Sequence, residues 1–169
     1  MALPWLFEFW ALPHQMPPEG VWKTWVIMGG RGAGKTRAGA EWVRAQIEGA
    51  RPLDPGSARR VALVGETVDQ VREVMVFGES GILACSPPDR KPEWLASKNQ
   101  LLWPNGAVAQ VFSAHEPEAM RGPQFDAAWA DELGRLMPRA SMALAMVLAV
   151  YMPPQAPGPG MATASRAAS

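Results

Sequence analysis

With 169 residues and 18.3 kDa, the chain has room for one domain and hardly two, and its 48% apolar and 19% charged residues exclude global disorder. Sixteen Lys and Arg balance sixteen Asp and Glu, so bulk positive charge does not hold this protein to nucleic acid, although a local basic patch stays open. The single cysteine, Cys85, excludes an internal disulfide framework and a multi-cysteine zinc site, and fits a reducing cytosol.

Residues 1–20 carry four prolines (Pro4, Pro13, Pro17, Pro18) among aromatics, which predicts a short helix and then an irregular lead-in. The first fifteen residues are apolar but have no basic n-region and hold Glu8 inside the apolar stretch, so they read as packing sequence and not as a signal peptide. Residues 22–28 (WKTWVIM) predict a strand running into a glycine cluster. From Lys35 the spacing turns helical, with Ala38, Trp42 and Ala45 near one face, until Gly49 and Pro52 end it.

A polar linker from Pro52 to Arg59 leads to a short buried strand at 60–65 (RVALVG), and Thr67 caps a helix running to about Phe77. Antiparallel strands are expected within 92–113, in PEWLA, QLLWP and AVAQVFS, the last two joined by the turn signal Asn105-Gly106. Residues 125–130 (FDAAWA) form a further strand that ends at Asp131 and Glu132. Strands alternating with helices argue for an α/β sheet, mainly parallel at its centre and decorated by a β-hairpin.

The tail differs in composition. Beyond Glu132 there are three Arg and no Asp, Glu or Lys, and residues 153–169 are rich in Pro, Gly, Ala and Ser, a composition that cannot order itself. The most apolar run, Met142 to Met152, has 11 residues, whereas a membrane-spanning helix needs about 20. It reads as a packed or partner-seeking helix. The expected division is a lead-in over 1–20, a nucleotide-binding domain over 21–135, and a divergent, largely disordered tail over 136–169.

Gly29-Gly30-Arg31-Gly32-Ala33-Gly34-Lys35-Thr36 fits the phosphate-loop pattern G-x-x-x-x-G-K-S/T, between a predicted strand and a predicted helix. Glycines let backbone N–H groups converge on phosphate oxygens, and the helix that follows points its positive end at the anion. Lys35 is expected to reach the β- and γ-phosphates of ATP, and the Thr36 hydroxyl to bind Mg²⁺. Arg31 either touches the γ-phosphate or stands as a solvated loop arginine. Such a loop needs a carboxylate at the end of a neighbouring strand, and Asp131 and Glu132 follow an apolar strand. Asp131 is assigned to Mg²⁺ and Glu132 to activation of the attacking water, a pairing that favours a hydrolase over a small-molecule kinase.

The segment from Trp25 to Trp42 (WVIMGGRGAGKTRAGAEW) resembles the phosphate-loop region of large terminase subunits, the DNA-packaging motors of tailed phages, prophages and gene transfer agents. Further matches occur in the family's order: LWPNGA (102–107), FSA (112–114) and MRGPQFDAAWADEL (120–133), so that the likeness covers about residues 12–135. The resemblance implies a P-loop ATPase of the additional-strand, catalytic-glutamate type, with helices on both faces of its sheet. It also implies a homo-oligomeric ring at a portal vertex, double-stranded DNA as cargo, the portal protein and small terminase subunit as partners, and the cytoplasm of a bacterial host as location. His14-Gln15 resembles the family's adenine-contacting segment, with Gln15 reading the base edge. Arg31 and Arg121 resemble arginines considered for γ-phosphate sensing or subunit coupling. The likeness fades after Leu133, and the acidic cluster of the family's C-terminal nuclease domain is missing, so the composition break predicts either a frameshifted or truncated product or a separately encoded nuclease, and in both cases no nuclease activity in this chain. Rival expectations are a helicase-like DNA-dependent ATPase and a prophage remnant that binds nucleotide without turnover.

The remaining features read as structural. Trp22, Trp25, Trp42, Trp94, Trp103 and Trp129 are expected in or beside the core, Arg59-Arg60 and Arg90-Lys91 at the solvated surface, Cys85 as a packed thiol and His115 in a loop.

Overall fold

A computed structural model describes residues 5–20, 22–131 and, as backbone, 147–151. In chain order its elements are β1 (Thr24–Met28), α1 (Lys35–Ile47), β2 (Arg60–Gly65), α2 (Val68–Gln70), α3 (Ile82–Cys85), β3 (Glu93–Leu95), β4 (Gln100–Leu102), β5 (Val108–Ser113), β6 (Ala127–Ala130) and β7 (Val147–Tyr151). Thr67 caps α2 as expected, its Oγ1 accepting from the Gln70 N–H at 3.2 Å. The helix predicted to Phe77 changes character, because Val71–Val76 is π-helical. Single 3₁₀ turns form in the lead-in at Phe7–Phe9 and Pro13–Gln15.

All seven strands join one sheet in the order β1-β7-β6-β2-β5-β4-β3. Only β2 with β5 and β2 with β6 pair in parallel, while β1–β7, β6–β7, β3–β4 and β4–β5 are antiparallel. The sheet is therefore mixed, and the expectation of a mainly parallel centre is corrected. β7 is the reason. It runs antiparallel between β1 and β6, so β1, β6, β2 and β5 all point the same way although β1 touches none of the other three. This strand falls inside the apolar run expected to be helical; a short apolar run rich in Val and Tyr does not distinguish strand from helix by periodicity. The rest of the 136–169 tail lies outside the described residues.

Strand periodicity selects the core face. β1 buries Trp25 and Ile27 and exposes Val26 and Met28. Trp25 and Ile27 join Val61, Leu63, Ala109, Val111 and Trp129 on one face, against Ala38, Val43 and Ile47 of α1, Val71 and Met75 of the π-helical stretch, and Ile82 and Cys85 of α3. The opposite face carries Ala62, Val64 and Phe112, covered by the loop residues Met120 and Phe125. Among the described residues α1, the π-helical stretch and α3 pack on one face, and the β5–β6 segment, with its 3₁₀ turn Pro117–Met120, covers the other. Trp25, Trp42, Trp103 and Trp129 are buried and Trp22 and Trp94 half-buried against the same core, as the sequence indicated.

Two contacts set the position of the sheet against α1. A Cβ at Gly39 would run into the Trp129 indole, so only glycine lets the helix backbone lie on β6. Asp126, one residue before β6, accepts from the Arg59 and Arg60 N–H groups at 2.8 and 2.9 Å and locks β6 in register with β2. The far end of α1 is held by Asn105, whose Nδ2 donates to Ile47 O and Asp54 O at 2.9 and 3.1 Å. Arg90 donates to Gly49 O and Ala50 O at 2.6 and 2.9 Å. Arg90 is thus a structural clamp and not the solvated charge expected of it.

Gly39→Ala is expected to destabilise the fold by about 1–3 kcal/mol through overpacking against Trp129, read as a lower midpoint in urea unfolding. Asp126→Ala removes two bonds to backbone donors and is expected to lose a similar amount, roughly 1–3 kcal/mol; an unchanged midpoint would show that the β2–β6 register does not depend on it.

Candidate functional site

Because β1, β6, β2 and β5 run the same way, Gly29, Asp131, Glu66 and Ala114, which follow these strands, emerge at one edge of the sheet. Trp25 and Trp129 both stand opposite Val150 of β7, so counting forward along each strand sets Asp131 level with Ile27. Two strand spacings, about 9–10 Å, separate Asp131 from Ile27 across the sheet, and the glycine loop starts two residues further on. Asp131 is buried, donates its N–H to Val64 O at 2.9 Å, and borders a crevice with Gly65, Gln70 and Met75. Glu132 lies outside the described residues.

The loop has the backbone its glycines allow. Gly32 and Gly34 take positive φ values of 77° and 75°, and Gly34 is the N-cap of α1. Lys35 is 3% exposed, and its Nζ donates to Gly29 O and Gly30 O at 2.7 and 2.5 Å, so the ammonium lies folded into the loop. A cleft of about 320 Å³ opens here, lined by the loop, Thr36, Arg37 and Ser80. Arg31 lines it and is exposed. Three cations, two hydroxyls and no carboxylate line this cleft among the described residues, a chemistry suited to an anion.

Gln15 meets the loop directly. Its Nε2 donates to Ala33 O at 3.0 Å, its Oε1 accepts from Leu12 N at 2.9 Å, and a Cβ at Gly34 would collide with its amide. Gln15 therefore ties the lead-in to the loop, while His14 is exposed. Arg121 lies on the β5–β6 loop, highly exposed and paired with Glu118 at 2.8 Å; it does not line the cleft.

Arg37 and Ser80 are cleft residues that the loop pattern did not flag, Arg37 because it lies one position past the motif and Ser80 because nothing local marks it. Behind Arg37 runs an ionic ladder along α1. Glu41 receives Arg37 on Oε1 and Arg44 on Oε2, and Arg44 grips Glu48 with two bonds of 3.0 and 3.1 Å. Burial pushes the Glu41 carboxyl above its ordinary range, and the positive charges of Arg44 and Arg37 offset this only in part. Burial also works against the Arg44 charge, but bonding to Glu48 and the charges of Glu48 and Glu41 outweigh it and leave its pKa raised. Cys85 packs beside this ladder, and burial raises its thiol to about 11.

The fold and edge define an α/β domain with a glycine loop beside a cation-lined cleft and a buried acid two strands away. The family described as terminase large subunit, T4likevirus-type, N-terminal, matches residues 26–136, and the chain belongs to it. Its members are DNA-packaging subunits that work with DNA and other packaging components. Neither a curated protein nor a solved structure matches the chain. No helix among the described residues is long and apolar enough to cross a membrane.

With its pKa near 11, Cys85 holds only about one thiolate in a thousand at pH 8, so iodoacetamide is expected to label the folded protein far more slowly than the urea-unfolded chain. Equal labelling rates would contradict the packed thiol.

Proposed function

We propose that this chain is the ATPase part of a large terminase subunit, hydrolysing ATP to drive double-stranded DNA into a procapsid. The observation that carries this reading is the shared sheet edge, with a glycine loop on β1 and a buried carboxylate after β6. The portal protein and the small terminase subunit are its partners in this reading, and a ring of copies is the working form. The fold type is a P-loop ATPase with an additional strand, and β7, between the loop strand and the acidic strand, supports that type although it runs antiparallel.

Residues present fit the substrate and its metal. Lys35 has two carbonyl partners that phosphate oxygens of ATP replace, and the α1 N-terminus faces the same cleft. The Thr36 hydroxyl and the Asp131 carboxylate are hard oxygen donors that would hold Mg²⁺, which supplies charge neutralisation on the β- and γ-phosphates. Arg31, exposed in the loop, is free to reach the γ-phosphate. Glu132 follows Asp131 directly in sequence; in this reading it takes a proton from water as the water oxygen attacks phosphorus and the bond to the bridging oxygen breaks. Gln15, held at the loop, stands where it would meet the adenine end of the substrate.

Lys35→Ala is expected to abolish ATP binding, measured by calorimetry. Glu132→Gln is expected to retain bound ATP while turnover falls about 100-fold or more, the scale of losing a general base. Normal hydrolysis by Glu132→Gln would remove that residue from the mechanism. ATP binding by the unaltered chain without any turnover would support the binding-only reading instead.

A further inference from the structure

Arg37 occupies an unusual position for a surface cation. It lines the phosphate cleft, yet its side chain is only 34% exposed and is fixed from two sides. Nε and Nη2 both donate to Glu41 Oε1, at 2.8 and 2.6 Å, and the guanidinium carbon stands 5.9 Å from the centre of the Phe7 ring. Glu41 cannot follow Arg37 if it moves, because its second oxygen is held at 2.6 Å by Arg44, which is itself gripped by Glu48. The remaining N–H groups of Arg37, both on Nη1 and one on Nη2, have no protein partner among the described residues. A planar donor fork is thus held in place at an anion-suited cleft with three of its five donors unspent.

The helical wheel gives its side of the cleft. Gly39 faces Trp129 of β6, and at 100° per residue Thr36 lies about 60° from that direction while Arg37 lies about 160° from it. Thr36 therefore faces the sheet edge where Asp131 ends β6, and Arg37 faces the lead-in, with Phe7 against it and Gln15 on the same lead-in. We propose that Arg37 is a nucleotide-binding residue on the nucleoside side of the cleft, donating to the phosphate nearest the ribose, and that Glu41 is its positioning residue. This rests on the nucleotide reading above. The ladder keeps the guanidinium ordered before the ligand arrives, so the entropy of ordering it is not lost on binding.

Because the phosphate nearest the ribose is common to ATP and ADP, Arg37→Ala is expected to weaken both by about tenfold, which corresponds to about 1.4 kcal/mol. Glu41→Gln is expected to weaken both by about threefold in the unaltered background and to add nothing in the Arg37→Ala background, as for residues that act as one unit. Calorimetric titration of the full chain with each nucleotide reads these effects, and thermal melts report whether each variant folds; Arg37→Lys, which keeps charge but loses the fork, serves if Arg37→Ala does not. Losses confined to ATP would place Arg37 at the γ-phosphate and overturn the assignment, as would binding of both nucleotides within twofold of normal. Additive effects of the two substitutions would overturn the positioning role. If the unaltered chain binds neither nucleotide, the nucleotide reading itself fails and Arg37 falls with it.

Discussion

The separation between the two halves of the site depends on one contact, the Trp129 indole lying on the backbone of α1 at Gly39. α1 begins at the glycine loop and β6 ends at Asp131, so whatever sets the distance between this helix and this strand sets the distance between cation and carboxylate. A glycine here removes the side chain that would hold them apart, and a tryptophan fills the gap with a rigid plane. The cost is visible in the same place: among the described residues the buried Trp129 Nε1 has no hydrogen-bond partner, a loss of about 1–3 kcal/mol that the packing must outweigh.

The second constraint is electrostatic. A lysine almost without solvent contact is costly unless its N–H groups are satisfied, and Lys35 satisfies two of them on carbonyls of its own loop. Those carbonyls are neutral and weaker acceptors than an ionised oxygen, so the ammonium sits in a setting that an anion improves. About two and a half turns further on, Arg44 meets the opposite solution. Its partners Glu41 and Glu48 are full charges, and the pair is complete within the helix. α1 thus carries an unfinished charge at its head and finished ones along its side.

Much of this was legible in the sequence, and the reasons are local. The glycine loop, the strand before it and the helix after it follow from residue types within a dozen positions, as do the Thr67 cap and the Asn105-Gly106 turn. The apolar strand ending at Asp131 was equally clear. What could not be read depended on distant pairing. The strand 147–151 is apolar on its own terms, and only its place between β1 and β6 makes it antiparallel and the sheet mixed. Gln15 shows the same limit: nothing local in the sequence tells that its amide bonds to Ala33 and Leu12 and so ties the lead-in to the glycine loop. Asp126 looked like part of a strand motif, yet its carboxylate serves the start of β2 across the sheet.

The anchoring of α1 at Ile47, Gly49 and Ala50 has a mechanical meaning. Asn105 at the hairpin turn and Arg90 fix the tail of the rod, so a rigid tilt about that point would displace its head most. Over a length of about 20 Å, a tilt of roughly 3° displaces the head by about 1 Å. The geometry is that of a lever arm: a small rotation beside the hairpin would become an atomic-scale displacement where Gly34 and Lys35 sit.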